Sequence, residues 1–263
     1  MLGNNTSDVI ELRGKILKEY DELVSNSYEG TIFHHTWWHE AVLKGIINYR
    51  EYNVSYFGVL DRNDRLLSAI PIFYYKKAFM NVVSVPPLTP YLGPLFRKQK
   101  SMNRLHRISF MKKINKMYAK LLKTMGLVTF YPFSHEHVDL QPYLWEGLDV
   151  HVRYTYVINL KNSLDNIWKS IDKRRRWEIR KALKSGVVIE ENTKISEFIR
   201  LFNESMKRHK IERRYEKIWM KLFHECNSRN MCRILTAYTK NGEPIASIFI
   251  VWDNKRTYYI GSG

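Results

Sequence analysis

Within residues 153–190 the chain concentrates side chains able to grip an anion: Lys173, Arg174, Arg175, Arg176, Arg180, Lys181 and Lys184, with Trp177 among them. Guanidinium groups offer paired, planar donors that match phosphate or carboxylate, and an indole can stack on a base or a sugar. The chemistry open to this run is therefore capture of a large anionic substrate. Asp172 can cap the start of a helix, Gly186 can end it, and Val187-Val188-Ile189 returns to a strand. Projected at about 100° per residue, Ile179, Ala182 and Leu183 form an apolar arc expected to face the core. Arg175 falls inside that arc and Arg176 at its edge, whereas Trp177 projects among cations on the polar face. Two readings stand: a ligand-facing helix in which Arg175, Arg176 and Trp177 bind substrate, or a solvated helix end whose arginines lie over apolar surface.

Other chemistry-bearing residues are sparser. His34, His35 and His39 could set two imidazoles one helical turn apart, and His135-Glu136-His137 forms a second cluster. Neither has a third ligand nearby, so no metal is expected. Glu136 and Asp139 are candidate carboxylates or plain solvated loop residues. Tyr91 sits in the proline-rich loop 86–94, either to line a cleft or as part of a rigid connection. Cys226 and Cys232 lack metal-ligand spacing and read as packing residues of a reducing compartment.

Net charge is +17, and two segments carry nearly all of it. Residues 97–123 hold ten Lys or Arg and no acid; residues 169–184 hold eight, against Asp172 and Glu178. Clustered charge of one sign steers polyanions, and a tRNA, a pyrophosphate-linked lipid precursor or an anionic membrane face would each qualify. At 44% hydrophobic residues the chain can bury a core. It has no apolar run of about 18 residues, so no transmembrane segment is expected. The N-terminus lacks a basic and apolar leader, which predicts a cytoplasmic protein.

The elements that must position these residues read as two α/β lobes, 1–145 and 146–263. The first has helices near 21–25, 36–45 and 104–123, a hairpin over 57–73, and strands near 79–85 and 127–131. The second has a strand at 152–160, the cationic helix, helices near 195–210 and 215–229, and strands near 231–238, 243–252 and 257–260. The segment 132–147 is the expected linker, itself packed. Residues 57–73 align without gaps on 235–251 at an offset of 178, with Asn241-Gly242 a strong hairpin signal. A duplication predicts that Ile70 and Ile248 are equivalent inward residues; two unrelated hairpins sharing a pattern are the alternative. The second copy has no counterpart of 86–131, so the second lobe is expected to be incomplete and the chain truncated at its C-terminus.

Several of these residues match one family in order. Trp145-Glu146-Gly147, Tyr154-Thr155-Tyr156-Val157-Ile158-Asn159-Leu160, Arg176-Trp177-Glu178-Ile179-Arg180-Lys181-Ala182 and Gly186-Val187 resemble the FemAB-like branch of the GNAT acyltransferases, which includes the peptidoglycan interpeptide-bridge aminoacyltransferases. Further matches lie at 33–44, 86–94 and 242–246, so the resemblance runs from about Ile32 onward. It implies an α/β fold of two tandem GNAT-like lobes, with mixed sheets flanked by helices. It also implies transfer of an acyl or aminoacyl group to an amine of a cell-wall or surface-polymer precursor, with no metal, no bound cofactor and no covalent enzyme intermediate. The donor would be aminoacyl-tRNA or acyl-CoA, and a phosphate-linked precursor or an anionic membrane face would be the other partner. Lys44, after the helix that carries Trp38, and Arg176 fall where the family holds precursor phosphates. After Gly93-Pro94, Arg97 stands where bridge-forming members have an aspartate proposed to accept a proton, so no catalytic residue is assigned. An acyl-CoA-dependent enzyme acting on a small amine or sugar, and a non-catalytic basic module binding RNA or anionic membrane, are the alternative functions.

Overall fold

The computed structural model describes residues 9–46, 51–99, 102–191, 194–211 and 215–263. Residues 1–8, in which no leader is expected, and Lys100 of the first basic segment lie outside them. In chain order the elements are β1 (Ile10–Glu11), α1 (Gly14–Asn26), α2 (Thr36–Gly45), β2 (Tyr52–Leu60), β3 (Leu66–Lys77), β4 (Met80–Ser84), β5 (Leu95–Phe96), α3 (Arg104–Met125), β6 (Val128–Phe130) and α4 (Gln141–Trp145). They continue with α5 (Leu164–Ser170), α6 (Lys173–Lys184), β7 (Val188–Glu191), α7 (Ile195–Arg208), α8 (Glu216–Ser228), β8 (Cys232–Tyr238), β9 (Pro244–Trp252) and β10 (Thr257–Ser262).

The chain divides into two compact units. One takes Met1–Val150, Tyr215–Met231 and Val251–Tyr258, and the other takes His151–Arg214, Cys232–Ile250 and Tyr259–Gly263. The first unit is a sheet in the order β1-β2-β3-β4-β6, with β5 on β3. It is antiparallel except for the parallel β4–β6 pair, so it is a mixed sheet. Its central strand β3 is covered on both sides. Ile70 and Ile72 pack with Ile114, Tyr118 and Leu122 of α3, while Leu66 and Ala69 pack with Tyr20, Leu23 and Val24 of α1. Each such fully buried side chain contributes about 1.5 to 3 kcal/mol, so the near-continuous apolar run of β3 holds this layer together. Pro71 is tolerated there because β5 pairs only Ser68 and Ala69, and β4 only Tyr74 to Lys77. The stretch between has no ladder on that side, and Tyr131 Oη donates to the Pro71 carbonyl.

Helix α2 begins where Thr36 N–H donates to Asp21 Oδ1 at 3.0 Å, so a carboxylate from α1 satisfies one of its free donors. Trp38, His39, Ala41, Val42 and Gly45 are its buried residues. Gly45 lies so close to α8 that a Cβ there would sit 2.5 Å from Ile218 Cα. Helix α8, expected in the second lobe, therefore packs on α2 in the first unit.

The four-stranded sheet has the order β10-β9-β8-β7 and falls for the most part in the second unit. Phe198 of α7 meets Phe249 of β9 edge-on at 5.6 Å. The buried side of β9 carries Ser247, Phe249 and Val251. Ile248 is only half-buried, which corrects the expected equivalence with fully buried Ile70. The reason is that α3 closes the Ile70 side of β3, whereas the packing on β9 is made from the other face.

Two further expectations are corrected here. Residues 152–160 form no strand: Tyr154 is 95% exposed, and Val157, Ile158 and Leu160 lie open beside it. β-Propensity was sufficient in type, but no described strand supplies the ladder. The arc Ile179-Ala182-Leu183 of α6 is exposed rather than core-facing, because the helix buries no residue at all.

Candidate active-site cavity

A cavity of about 690 Å³ opens in the first unit between the turn after α1, the segment 96–99, the first turns of α3 and the loop 136–139. The turn after α1 is pinned from several sides. Ser27 N–H donates to Leu23 O at 2.9 Å, Gly30 N–H donates to Ser27 Oγ at 2.9 Å, and Lys255 Nζ donates to Ser27 O at 2.6 Å. Gly30 has no room for a side chain, since a Cβ would lie 1.9 Å from Val24 O. This packing presses Glu29 inward to 7% exposure, and its Oε2 has no hydrogen-bond partner. Burial raises the Glu29 carboxyl above its usual range. Glu136 pushes the same way, and backbone donors and Lys255 partly offset both.

Across the cavity, His137 closes a turn through its N–H to Ser134 O at 3.0 Å, while Ser134 N–H donates to Leu92 O at 3.0 Å. The His137 ring is half-buried against Phe133 with its Nε2 inaccessible, and desolvation lowers its pKa to about 4, so the imidazole is neutral at physiological pH. Its Nε2 is also unpartnered. The ring fits because residue 93 is glycine: Gly93 has φ 136°, and a Cβ would lie 2.5 Å from His137 Nε2. Gly93→Ala is therefore expected to cost about 1 to 3 kcal/mol through backbone strain and displacement of the ring. A drop in urea midpoint at unchanged slope would register it.

The cavity's cations differ in freedom. Arg97 donates from Nε to Leu66 O at 2.6 Å and pairs with Glu19 at 3.6 Å and Glu22 at 4.0 Å. Lys98 lies 4.5 Å over the Tyr28 ring. Lys112 donates to Gln141 Oε1 at 2.8 Å and sits 3.5 Å from Asp139. Arg104 and Arg107, one turn apart at the start of α3, are exposed and have no ion pair among the described residues. The helix start adds positive potential at the same place, with Asn103 Oδ1 taking the His106 N–H at 2.9 Å. The cavity thus joins two free arginines at its rim to a buried carboxylate with an unused oxygen.

Of the residues expected from the sequence to bind substrate, Trp38 is a core residue. It is fully buried, with Phe33 at 5.0 Å and Nε1 donating to Thr89 Oγ1 at 3.3 Å, so it packs α2 in the core. Lys44 is exposed at the end of α2, with Nζ 2.9 Å from Glu40 Oε2. Tyr91 is half-buried between Phe33 and Tyr258, at 5.4 and 6.4 Å, and does not line the cavity. In the second unit, Arg174 and Arg175 converge on Glu178 at 3.1 and 2.7 Å. Arg176 is half-buried, with Nε buried and unpartnered. Trp177 is 59% exposed, with Lys181 Nζ 5.2 Å from its ring centre.

The remaining candidates are mostly occupied. Glu136 pairs with Arg256, and Asp139 accepts from Gln141 N–H at 3.2 Å. His34 shares a hydrogen bond with Thr31 Oγ1, and His39 shares one each with Tyr56 Oη and Phe33 O at 2.8 Å. Burial pushes His39 down to about 3, so it is a satisfied, neutral core imidazole. His35 shares a hydrogen bond with Asp21 at 3.1 Å. Burial alone would raise the Asp21 carboxyl, but the bonds from His35 and Thr36 hold it below its ordinary range. Among the described residues, no group of three His, Cys, Asp or Glu is placed to hold a metal ion, and no helix is long and apolar enough to cross a membrane. Sequence reading missed Glu29 and His137 as cavity residues; Arg104 and Arg107 it saw only as members of a basic run.

An α/β chain with two sheets flanked by helices, the first of them mixed, has the fold of a solved structure, that of FemX. The match has a TM-score of 0.58 at 11% identity and covers 98% of this chain and 80% of that one. The sequence pattern of the FemAB family matches residues 142–240 of this chain. A conserved Enterococcus faecalis protein described as a probable N-acyltransferase aligns over 98% of this chain and 59% of its own, at 11% identity and a TM-score of 0.33. No curated protein gives a significant match.

Proposed function

We propose that the chain is an N-acyltransferase that moves an acyl or aminoacyl group onto an amine of a cell-wall or surface-polymer precursor, in the cytoplasm. The observation that carries this reading is the cavity of the first unit, which is lined both by Arg104 and Arg107, outside any ion pair among the described residues, and by buried Glu29. An amide-forming transfer needs an anchor for an anionic substrate and a group to relieve the attacking nitrogen of its proton, roles that the two arginines and Glu29 suit by their chemistry. The FemAB match over 142–240 supports the same chemistry. Aminoacyl-tRNA or acyl-CoA is the proposed donor, and a phosphate-linked precursor with a free amine the proposed acceptor. Arg176, with its buried unpartnered Nε, and Lys44 are proposed as further phosphate ligands. Mass spectrometry of reactions containing the full chain, charged tRNA or acyl-CoA, and nucleotide- or lipid-linked acceptors tests this. The expected product is the acceptor plus one acyl or aminoacyl residue joined by an amide; the absence of any amide product with every donor would exclude transfer.

A second reading, a basic module that binds RNA or an anionic membrane without turnover, is favoured by α6, where exposed Trp177 stands among cations. Binding of RNA or of anionic vesicles without product formation would select it.

A further inference from the structure

We propose that Glu29 is the proton acceptor of the transfer, the substrate amine entering the cavity between Glu29 and the arginines of α3. This deepens the acyltransferase reading and rests on it. Three observations converge on this residue. Glu29 lines the cavity and is more than nine-tenths buried, with an oxygen that no donor satisfies. A buried acceptor left unpaired is costly to the fold and is uncommon in native structures, so its retention calls for a partner. The other carboxylates of the cavity are committed, Glu136 to Arg256 and Asp139 to Lys112 and to the Gln141 N–H. Arg97, on the same wall, is a permanent cation tied to Glu19 and Glu22 and cannot accept a proton.

The chemistry balances without a co-reactant. The amine nitrogen attacks the acyl carbonyl carbon, forming the C–N bond, and the C–O bond of an ester donor or the C–S bond of a thioester breaks. The proton lost by nitrogen passes to the Glu29 carboxylate and then to the departing oxygen or sulfur, so Glu29 ends as it began. The charged and titratable groups acting on Glu29 are Glu136, which raises its carboxyl, and Lys255, which lowers it. Lys98 lines the same cavity with its amine over the Tyr28 ring, and neutral His137 adds no charge. With the carboxyl above its usual range, the competent ionised form accumulates as pH rises, giving kcat an ascending limb on the acid side. The sign for stability is opposite. A carboxyl raised in the folded state favours folding while protonated, and this contribution is lost as pH climbs through the raised value.

The test uses the full chain as wild type, Glu29→Gln and Glu29→Asp. It measures kcat and KM of amide formation from about pH 5 to 9, together with the thermal unfolding midpoint. Glu29→Gln is expected to lower kcat about 100-fold or more with KM little changed, and to flatten the ascending limb. Its unfolding midpoint should equal or exceed that of the wild type above neutral pH. Glu29→Asp should recover part of kcat and keep the limb. A kcat for Glu29→Gln near that of the wild type would overturn the proposal and leave the transferase reading intact. A fall in kcat matched by a lowered midpoint, with the limb preserved in the residual activity, would reduce Glu29 to a structural role. No amide product from the wild type would overturn both readings together.

Discussion

Removing both free arginines of the cavity rim, Arg104→Ala with Arg107→Ala, is expected to weaken binding of a phosphate-bearing substrate by about 100-fold or more. A charge-assisted hydrogen bond contributes about 1.5 to 3 kcal/mol, so each such bond is worth roughly 10- to 150-fold in affinity, and the two need not add fully. The expectation falls on these two because neighbouring cations are already engaged. Lys116 pairs with Glu146 at 3.5 Å, Lys123 donates to Glu146 O at 2.6 Å, and Lys112 is held by Gln141 and Asp139. Those lysines fasten α3 to the segment around α4, so Lys116→Ala removes as much formal charge as either arginine substitution alone, at far smaller cost to binding. If the ligand is a tRNA, the dependence of log affinity on log salt should flatten by about one unit for each phosphate the variant no longer neutralises. Titration of the variants at two or three salt concentrations reads both quantities. Equal effects for the arginine pair and for Lys116 would show that α3 acts through its summed field and that its first turn has no special part.

Trp38→Ala is expected to cost about 3 to 5 kcal/mol of unfolding free energy, enough to leave a domain of ordinary stability largely unfolded. The indole is fully buried, meets Phe33 edge-on and gives its N–H to Thr89, which is itself buried. Truncation therefore opens a large void and orphans a hydroxyl in the same step. Trp38→Phe keeps most of the volume and should cost far less, chiefly the hydrogen bond at about 1 kcal/mol and some repacking. Urea unfolding of both variants separates these terms. A stable Trp38→Ala with impaired substrate affinity would return the residue to the binding role its sequence position suggested.

Much of the frame was legible from local pattern. Helix α2 spans the residues foreseen, because Thr36 opens it and the apolar residues recur at helical spacing. The hairpins β2–β3 and β8–β9 fall where alternating strands flank polar turns. What failed was what depends on partners. Residues 152–160 have the aromatic and β-branched composition of a strand, but a strand exists only when another supplies its ladder. The apolar arc of α6 was likewise a correct periodicity attached to a wrong environment. The site was harder still. Nothing in Tyr28-Glu29-Gly30 announces a buried carboxylate; Glu29 is driven inward by the turn after α1 and by Lys255, which lies 226 positions away. The one local hint was Gly30, whose lack of a side chain lets the turn close on Val24. Gly93 gave a similar hint for His137, visible only once the two loops are seen to meet.

The two thiols have a use beyond packing. Cys226 and Cys232 are both buried thiols, yet Cys226 belongs to the first unit and Cys232 to the second. Burial pushes the Cys232 thiol up to about 11, which keeps it protonated and unreactive at neutral pH. An alkylating reagent can reach either sulfur only when the fold around it opens. Six positions apart in sequence, they are natural clocks for two separate breathing motions. Labelling rates resolved by peptide mapping would time the opening of each unit in one tube, without any introduced probe.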